Sequence, residues 1–547
     1  MKIFLSIIFF VFYFITFAQN KNYFSAGIES TAQYYVDDDK TGDFDEDNRF
    51  RSNNYTLLDY GFYNFQVGIQ FESYAPQALL NFSDSFDQEF GIATYYAQYK
   101  NEKIDVLGGY FYEQFGSGLI YRSWEDRQLG LNNALRGGKI SYRPTGFLSF
   151  TGIYGEQRIG FKVSNGQVFG LNSEINLSTI FDSKNSLTLG LSYIGRREAF
   201  ENPTSQIDET THLFSGRLDY SGNNFYTKIE YIYKSEDALV EQGFIFPNKG
   251  FTGNALLWNI GYSKRGLGID LTFRRLENMS FYSEREANGN LDNELLVNYI
   301  PSLTKQHDYG LTNIYVYQAQ PQLSFFPLNK AGEIGFQIDL FYNVEKGTAI
   351  GGKYGTKIAF NFSNWYGLDA EFDDINRTYS SEFLSFGDKY YSDFNIEVRK
   401  KWSDKWYSIF TYLNIFYSKK YIEEKIGNVN ANIFVAETTY RFQKNKSTRL
   451  VLEHLSTGDD QKNWASGLME FNFSSSFSIF ASDMYNYGND QDIERIHYYN
   501  FGTSFSKNRT RLALGYGRQR GGLVCIGGVC RFVSPSTGLT VNLSTSF

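Results

Sequence analysis

Hydrophobic and polar residues alternate along many short segments of this chain. In LTLGLSY (187–193), IDLTFR (269–274) and FNIEVR (394–399), each apolar side chain is followed by a polar or small one. The same alternation runs through 169–181 and 334–342. Because successive side chains of a β-strand point to opposite faces, each segment is predicted to be a strand with one apolar and one polar face.

The connections between these segments alternate in length. Short ones lie at 101–102, 144–145, 222–223, 265–266, 404–405 and 507–508. Long polar ones lie between them, at 37–54, 116–133, 156–167, 197–210, 236–251, 282–307, 373–388, 419–430 and 487–496. Outer-membrane barrels have tight periplasmic turns at one end and longer extracellular loops at the other. The sequence therefore predicts an all-β fold, a large single-chain antiparallel transmembrane β-barrel.

The number of strands follows from placing every short turn at the same end. This gives about 26 strands, within a range of about 22–26 and even in number, as is usual for bacterial barrels. The number depends on whether the segments 77–83 and 366–372 form strands. We predict one barrel domain over 19–547, in the outer membrane of a Gram-negative bacterium, with both termini in the periplasm.

The last predicted strand carries a pattern of its own. Leu539, Val541, Leu543 and Phe547 share one face, and the sequence ends on the aromatic residue. This pattern resembles the C-terminal signal of bacterial outer-membrane proteins, which the barrel-assembly machinery recognises. Thr545 departs from the aromatic or aliphatic residue often found at its position. The resemblance implies that this machinery is a partner during biogenesis.

Composition and the N-terminus agree with export. The chain has 52 Phe and 43 Tyr beside 50 Gly and only 8 Pro, yet its mean hydropathy is −0.39, as expected for alternating strands. Lys2, the apolar run 3–17 and Ala18 predict a signal peptide over 1–18. A membrane anchor is the alternative, but the run is shorter than the roughly 20 residues that span a bilayer as a helix.

The charge balance argues against polyanionic partners. The chain has 52 Lys and Arg against 60 Asp and Glu, a formal net charge of −8, which becomes −9 when Lys2 is removed with the signal peptide. Nucleic acid and anionic membrane surfaces are therefore not natural partners. Electrostatics names no other partner.

The only two cysteines, Cys525 and Cys530, stand five positions apart in LVCIGGVC. Gly527 and Gly528 suit the centre of a tight hairpin turn because glycine tolerates positive φ. Such a turn places the cysteines opposite each other, with Cα atoms roughly 4.5 Å apart. We predict a disulfide that clamps the last extracellular loop, in an oxidising compartment. The alternative is half of a zinc site, which lacks a nearby histidine.

Three stretches resemble recurring sequences of an uncharacterised family of Bacteroidota outer-membrane β-barrels: YRSWEDRQLGLNNALRG (121–137), DMYNYGN (483–489) and GGLVCIGGVCRFVSPSTGLT (521–540). They lie far apart, so the resemblance spans most of the chain. It implies a phylum whose outer-membrane proteins often work in multi-subunit assemblies, such as barrel-assembly or secretion machinery. It implies no catalytic or ligand residues.

One pair of residues has the spacing of a catalytic base and nucleophile. His454 and Ser456 lie two apart on one predicted strand face, the arrangement His-x-Ser found in outer-membrane phospholipases and lipid A deacylases. The Asn that often follows the Ser in those enzymes is Thr457 here, and their barrels are far smaller. The interpretation as a chance occurrence beside a polar loop is preferred to catalysis. His212, His307 and His497 are isolated and indicate no metal site.

The first long loop is acidic. DDDKTGDFDED (37–47) contains seven carboxylates, and Asp37, Asp39, Asp43 and Asp45 are candidate ligands for calcium, a hard cation that prefers oxygen. Asn48 stands where an EF-hand loop has its twelfth-position Glu. A hydrated acidic loop without a cofactor is the preferred interpretation.

The stretch RSWEDR places Arg122, Trp124, Glu125, Asp126 and Arg127 in a long loop. If the loop folds into the lumen, these charges can pair with inward-facing wall residues and the loop becomes a plug. Local ion pairs within an external loop are the alternative.

The width of the barrel bears on function. A lumen enclosed by more than about 20 strands is too wide for wall side chains to fill, and an open pore of that size would compromise the membrane. We predict a non-catalytic accessory or structural subunit of a larger outer-membrane complex, with other outer-membrane proteins or lipoproteins as partners beside lipids and lipopolysaccharide. The alternatives are a stand-alone channel or transporter for a solute, and a lipid-modifying hydrolase.

Overall fold

A closed antiparallel sheet dominates the structure, a computed structural model that describes residues 22–86, 90–200, 207–241, 244–287, 290, 293–526 and 528–547. The sheet has 24 strands, and each barrel strand pairs with the next barrel strand along the chain. The first and last strands close the ring, from Gly27 opposite Ser546 to Tyr35 opposite Gly538. The predicted all-β barrel is confirmed, and its strand number lies within the predicted range.

Strands are numbered β1–β30 in chain order. The barrel consists of β1 (Asn22–Tyr35), β2 (Phe50–Phe62), β3 (Phe65–Ser73), β4 (Phe90–Lys100), β5 (Ile104–Phe111), β10 (Leu135–Thr145), β11 (Leu148–Ile159), β12 (Lys162–Asn176), β13 (Ser186–Arg197), β14 (Thr210–Ser221), β15 (Phe225–Glu241), β16 (Phe244–Lys264), β17 (Leu267–Glu277), β18 (Gly332–Val344), β19 (Thr356–Asp373), β20 (Thr378–Lys401), β21 (Trp406–Ser418), β22 (Asn428–Gln443), β23 (Lys446–Ser456), β24 (Trp464–Asn472), β25 (Phe477–Tyr485), β26 (Asn500–Lys507), β27 (Thr510–Gln519) and β30 (Ser536–Ser546).

The other strands form three small hairpins outside the sheet. These are β6 (Gln114–Phe115) with β7 (Tyr121–Arg122), β8 (Glu125–Asp126) with β9 (Leu131–Asn132), and β28 (Gly522–Ile526) with β29 (Val529–Val533). Helices α1 (Leu177–Ile180) and α2 (Lys419–Glu423) are single turns in connections. 3-10 turns also lie in connections, at Glu46–Asn48, Asp84–Phe86, Leu311–Asn313 and Asp492–Glu494.

The strand count of 26 is corrected to 24 at the two segments on which it depended. Residues 77–83 form no strand, and 366–372 is a continuation of β19 rather than a strand of its own. Two predicted loops, 236–251 and 373–388, are largely strand. The strands β15, β16, β19 and β20 have 17, 21, 18 and 24 residues. Since about 9–11 residues cross a bilayer, both hairpins extend beyond the membrane.

The two ends of the barrel differ in the length of their connections. One end, the turn end, has tight turns such as those closed by the pairs Phe62–Phe65, Lys264–Leu267 and Lys507–Thr510. The strand β1 begins and β30 ends at this end. The other end, the loop end, has the long connections, which include 36–49, 112–134, 278–331, 486–499 and 520–535. This asymmetry agrees with the alternation of connection lengths in the sequence.

The outer face of the barrel is apolar, as the alternation predicts. Phe214, Leu452 and Met469 are 51%, 53% and 55% exposed, whereas the next residues along the strands, such as Ser215 and Val451, are buried. An apolar outer band around a closed antiparallel barrel is the arrangement of outer-membrane proteins. Within the described part of the chain, none of the helices has the length and apolarity to cross a bilayer.

The hydrophobic core lies inside the barrel, toward the loop end. An apolar belt on the inner wall comes from six consecutive strands, β12–β17, and its members are fully buried: Val168, Ile194, Leu213, Ile232, Ala255 and Leu276. The same cluster contains side chains from the long connections: Phe115, Ile120, Met279, Phe281 and Val297. The connections therefore fold into the barrel and cover the belt, which would otherwise face water.

Candidate functional site: the filled lumen

Three connections occupy the lumen. The largest is 278–331, here called the plug segment, which joins β17 to β18. The others are loop 112–134, which contains β6–β9, and connection 520–535, which contains β28 and β29. On the β20–β24 side of the barrel, the plug segment packs Tyr309, Leu311 and Tyr317 into a cluster with the wall residues Trp365 and Trp464. The inner surface is thus covered on both sides.

Carboxylates of the wall accept hydrogen bonds from the backbone of these connections. Glu453 on β23 binds the N–H groups of Gly310 and Leu311, at 3.1 and 2.8 Å. Other wall carboxylates do the same: Glu230 binds Ser117 N at 3.0 Å, Glu333 binds Gln320 N at 2.7 Å, and Glu241 binds Phe325 N and Phe326 N at 2.6 and 3.1 Å. Irregular backbone at membrane depth is tolerated only where such partners bury it.

Wall donors bind the carbonyl groups of the plug segment in the same way. Arg274 donates to Pro301 O at 2.6 Å, and Arg196 donates to Tyr282 O at 2.8 Å. Gln157 donates to Leu296 O at 2.8 Å, and Lys234 donates to Ser280 O at 3.2 Å. The plug segment has no long strand or helix of its own. These wall side chains therefore supply the hydrogen bonds that its backbone would otherwise form within regular secondary structure. Several inward-facing charged and polar side chains of the wall therefore hold the plug segment in place.

One buried ion pair joins two neighbouring wall strands to the plug. Arg274 on β17 and Glu333 on β18 are at most 1% exposed and approach to 2.6 Å between Nη2 and Oε1. The Tyr317 hydroxyl donates to the second oxygen of Glu333, which also accepts from Gln320 N. The pair therefore joins β17 and β18 to Pro301, Tyr317 and Gln320 of the plug segment, while Arg274 Nε has no hydrogen-bond partner among the described residues.

A second buried network contains a cation from the plug segment itself. Arg285 donates to Asp237 at 2.9 Å and to Glu198 at 2.9 Å, and Arg196 donates to the same oxygen of Asp237 at 2.7 Å. Arg196 and Arg285 are almost fully buried. The network fixes the plug segment to β13 and β15 at the loop end of the barrel.

The predicted plug residues of loop 112–134 lie against the plug segment. The guanidinium of Arg122 stands 4.0 Å from the ring centre of Tyr299 and 5.5 Å from that of Trp124. The N–H of Arg122 donates to Val297 O at 3.0 Å, and the Trp124 ring packs edge-on against Tyr299. These two residues therefore join loop 112–134 to the plug segment.

The other three predicted residues point toward the seam where β1, β2 and β30 meet. Arg127 forms ion pairs with Glu29 on β1 and with Glu125, the latter at 3.3 Å. Asp126 accepts from the N–H groups of Gln128 and Leu129, both at 2.9 Å, which fixes the loop tip. The loop forms ion pairs with the wall at both of its ends, between Arg127 and Glu29 and between Glu113 and Lys139 on β10, the latter at 3.2 Å.

A polar cavity of about 680 Å³ remains beside this loop tip. Its lining includes Glu29, Tyr55, Arg127 and Arg531, and it lies between the seam strands and the two lumen hairpins. Arg531 on β29 donates to Leu129 O at 2.6 Å. The loop tip and the seam strands therefore leave an unfilled space between them.

A disulfide joins Cys525 and Cys530, which lie opposite each other on β28 and β29. Their Cα atoms are 4.0 Å apart, and Cys530 is 3% exposed. Gly528 has a φ of +83°, as a tight primed turn requires, while Gly527 lies outside the described residues. The hairpin was expected as an external loop. Instead it enters the lumen, where Ser302 N donates to Gly528 O at 2.8 Å.

The disulfide leads to a direct prediction. Protein extracted from the membrane and denatured without reductant should take up no maleimide, because Cys525 and Cys530 are the only cysteines and are bonded to each other. After reduction it should take up two equivalents, counted by intact-mass spectrometry. Labelling before reduction, in protein quenched with acid at lysis, would contradict the pairing.

The candidate catalytic pair lies on the outer face of the barrel. The ring Nε2 of His454 is 2.7 Å from the hydroxyl of Tyr487, so its hydrogen-bonding partner is this phenol rather than Ser456. The flanking residues Glu453 and Leu455 point inward and are buried. The structure therefore places His454 and Ser456 on one face, as the spacing predicts, but does not link them.

The carboxylates of the acidic loop 37–47 do not converge on one point. Asp37 binds Arg49, and the N–H of Phe44 and this guanidinium lower the pKa of Asp37 below its usual value. Asp38 pairs with Arg518 on β27 at 2.7 Å. Over the described ranges, no three His, Cys, Asp or Glu residues are placed to hold a metal ion, so Asp37, Asp39, Asp43 and Asp45 form no preassembled calcium site.

The terminal residues lie where the alternation places them. Leu539, Val541 and Leu543 alternate with inward side chains such as Asn542, which hydrogen-bonds to Thr31. Phe547 is 65% exposed, and its N–H donates to Ala26 O on β1. The role of this strand in insertion stays a prediction, as does the signal peptide over 1–18, which lies outside the described residues.

The largest part of the site was missed from the sequence. Only 282–307 was predicted as a connection, whereas the irregular segment extends over 278–331 and enters the barrel. One signal could have found it: Pro301, Pro321 and Pro327 place three of the eight prolines of the chain in this segment. Proline lacks the N–H that a central strand needs, so these positions argue against barrel strands.

Comparison with known proteins gives weak structural similarity. A BenF-like porin from Pseudomonas fluorescens Pf-5 is 10% identical and has a TM-score of 0.35, with 80% of this chain and 98% of the porin covered. The siderophore receptor PirA from Pseudomonas aeruginosa is 8% identical, with a TM-score of 0.39 and coverage of 97% and 81%. The P pilus usher PapC translocation pore is 7% identical, with a TM-score of 0.36 and coverage of 96% and 99%. Similarity at this level supports no inference about function.

Sequence comparison is more informative. No curated protein matches the chain significantly. A family model matches residues 1–547, although it carries no taxonomic information, so the assignment to Bacteroidota stays a prediction. The chain belongs to DUF6029, a family of unknown function.

Proposed function

We propose that this protein is a sealed β-barrel of the Gram-negative outer membrane that acts as a non-catalytic accessory subunit of a larger complex. The observation that carries the proposal is the occupied lumen, in which charged side chains of the wall bind the backbone of the plug segment. In this orientation the turn end and both termini face the periplasm, and the loop end faces the cell exterior. Lipids and lipopolysaccharide surround the apolar outer face.

The loop end supports a role in association with other proteins. The two long hairpins, β15–β16 and β19–β20, project there and contact each other through Lys249 Nζ and Asn376 O at 2.6 Å. Their projecting parts expose large apolar side chains: Phe244 is 76%, Ile375 93% and Leu384 62% exposed. Exposed apolar side chains outside the membrane are typical of protein interaction surfaces.

A channel for a small solute is the second candidate, favoured by the cavity of about 680 Å³ at the seam. Glu29 and Arg127 both line this cavity, and their ion pair joins the loop tip to β1. Such a partly exposed ion pair contributes little stability, so the loop tip can move away from β1. A channel at the seam requires this movement. A sealed barrel and a gated barrel therefore differ in whether the tip of loop 112–134 stays bound to β1.

The subunit proposal is tested in the native organism by gentle detergent extraction, size analysis and mass spectrometry. The protein should migrate with a partner in fixed stoichiometry. The double substitution I375D and L384D should abolish this association by placing charges on the projecting hairpin. The control I350D changes a side chain that is 65% exposed at the turn end and should leave the complex intact.

Two results would contradict the subunit proposal. One is a native protein that migrates alone at every detergent concentration. The other is a complex that survives I375D and L384D as well as the control does, which would place the partner elsewhere on the molecule.

A further inference from the structure

A second cavity opens at the loop end, between the connections 457–463 and 486–499 and the residues Arg520 and Gly521. This rim pocket has a volume of about 330 Å³, and amide side chains supply much of its lining. Small-molecule sites in proteins have volumes of roughly 300–1,000 Å³. The pocket is therefore large enough for one small ligand.

Two polar atoms of the lining residues are buried without partners. Trp464 and Asn486 are 1% and 2% exposed, and neither Trp464 Nε1 nor Asn486 Oδ1 has a hydrogen bond within the described part of the chain. Leaving such an atom unpaired costs about 1–3 kcal/mol. One is a donor and the other an acceptor, and a hydroxyl group can pair with either. Both residues line the rim pocket.

The rim pocket also contains a guanidinium without a counter-ion. Arg520 donates to Asn313 O in the plug segment at 3.1 Å, and among the described residues it forms no ion pair. Burial lowers the pKa of Arg520. By contrast, Arg495 of the same rim is 41% exposed and pairs with Asp492 at 2.8 Å. A half-buried guanidinium beside a polar cavity is a group that proteins use to bind carboxylate or phosphate.

The acidic residues of the lining do not neutralise Arg520. Asp460 is held by Lys419 and by the hydroxyl of Tyr315, the latter at 3.3 Å. Glu494 lines the pocket and is exposed, so it is available to accept hydrogen bonds from hydroxyl groups. The lining thus combines one cation with amide and carboxylate groups that suit a hydroxylated ligand.

Residues from connections that are separate in sequence meet at this pocket. Asn486 and Asn489 lie between β25 and β26, and Arg520 and Gly521 lie between β27 and β28.

We infer that the rim pocket binds a small hydroxylated anion, of the sugar-acid or sugar-phosphate class. Arg520 pairs with the anionic oxygens, and the amides of Asn486, Asn489 and Gln491 bind hydroxyl groups. The N–H of Trp464 donates to the ligand. This site goes beyond the role of a sealed subunit and does not depend on it, because the pocket lies above the plug at the exposed end of the barrel.

The test measures binding of three probes to the purified full chain in detergent by isothermal titration calorimetry. Glucuronate and glucose 6-phosphate carry different oxyanions, and glucose carries none. We expect one or both anionic probes to bind more tightly than glucose, and their ratio identifies carboxylate or phosphate as the preferred group. R520Q should weaken the binding of the preferred probe roughly tenfold or more, since it removes a charge-assisted pair.

Two further variants distinguish a binding role from a structural one. R511Q changes an exposed arginine on β27 at the turn end, far from the pocket, and should leave affinity unchanged. W464F replaces the indole with a smaller aromatic ring that lacks the N–H, and it should weaken binding of the same probe a few-fold. Equal urea midpoints for R520Q and R511Q would show that the affinity change is not a loss of folding. The inference is overturned if none of the three probes binds, if glucose binds as tightly as the anions, or if R520Q binds like the unaltered chain.

Discussion

Replacing Glu333 with alanine should lower the free energy of unfolding by about 3–5 kcal/mol, because it leaves the buried cation Arg274 without its counter-ion. Arg274 and Glu333 are at most 1% exposed, so water cannot take the place of the lost carboxylate. The substitution also removes the acceptor for the Tyr317 hydroxyl and for Gln320 N. Urea unfolding in detergent, followed by tryptophan fluorescence, measures the change.

A surface ion pair provides the matched control. Lys401 and Asp404 approach to 2.8 Å at the turn end, but their side chains are 45% and 80% exposed. Because water screens such a pair, D404A should change stability by less than about 1 kcal/mol. E333A should in addition expose the plug segment to protease within 301–320. A loss no larger for E333A than for D404A would show that the buried pair does not hold the plug.

Replacing the plug segment with a two-residue turn should convert the barrel into an open pore. Glu277 and Gly332 already face each other as a pair of β17 and β18, so an Asn-Gly turn can join them without moving either strand. Barrels of 16–18 strands leave an aqueous channel when nothing fills them, so this wider barrel should conduct roughly tenfold or more above the unaltered chain. Single-channel recording in a planar bilayer measures the current.

The control removes a different connection of the loop end. Ser418 and Asn428 are paired on β21 and β22, so a two-residue turn can likewise replace residues 419–427. This variant should conduct no more than the unaltered chain, because the plug segment remains in place. Deletion of 119–131 should give an intermediate current, since it opens the seam but leaves the plug segment bound to the wall. Equal currents from all variants would contradict the assignment of the plug.

Alternation identified the barrel because membrane strands have two different environments. Outward residues such as Phe214 and Leu452 meet lipid, while their neighbours meet the polar interior, so the period of two is strong. The same physics explains where the prediction failed. The segments 236–251 and 373–388 project beyond the membrane, where no lipid requires one face of a strand to be apolar, so they lack the strict alternation and were predicted as loops.

The plug segment was hidden for a different reason. The sequence IYVY at 314–317 alternates like a wall strand, yet Tyr315 and Tyr317 are buried against the inner wall. Whether a connection turns outward or inward depends on partners that are distant in sequence, such as Glu453 and Glu333. No local spacing records these contacts. Only the charged stretch 122–127 suggested that a loop enters the lumen.

The rim pocket could not be read from the sequence either. Its residues Trp464, Asn486 and Arg520 come from one strand end and two connections and have no common spacing. The cysteines are the opposite case, because a tight hairpin places Cys525 and Cys530 together through local geometry alone. Local signals therefore predicted strands and the disulfide, whereas sites assembled across the barrel required the structure.

The most direct measurement of the central claim is the conductance of the unaltered protein in the planar bilayer, with insertion verified by recovering the protein from the membrane. The account predicts that the intact chain carries no large steady current, because the plug segment, loop 112–134 and connection 520–535 fill the lumen. A large and steady conductance from the intact chain, equal to that of the variant that lacks 278–331, would contradict the sealed barrel.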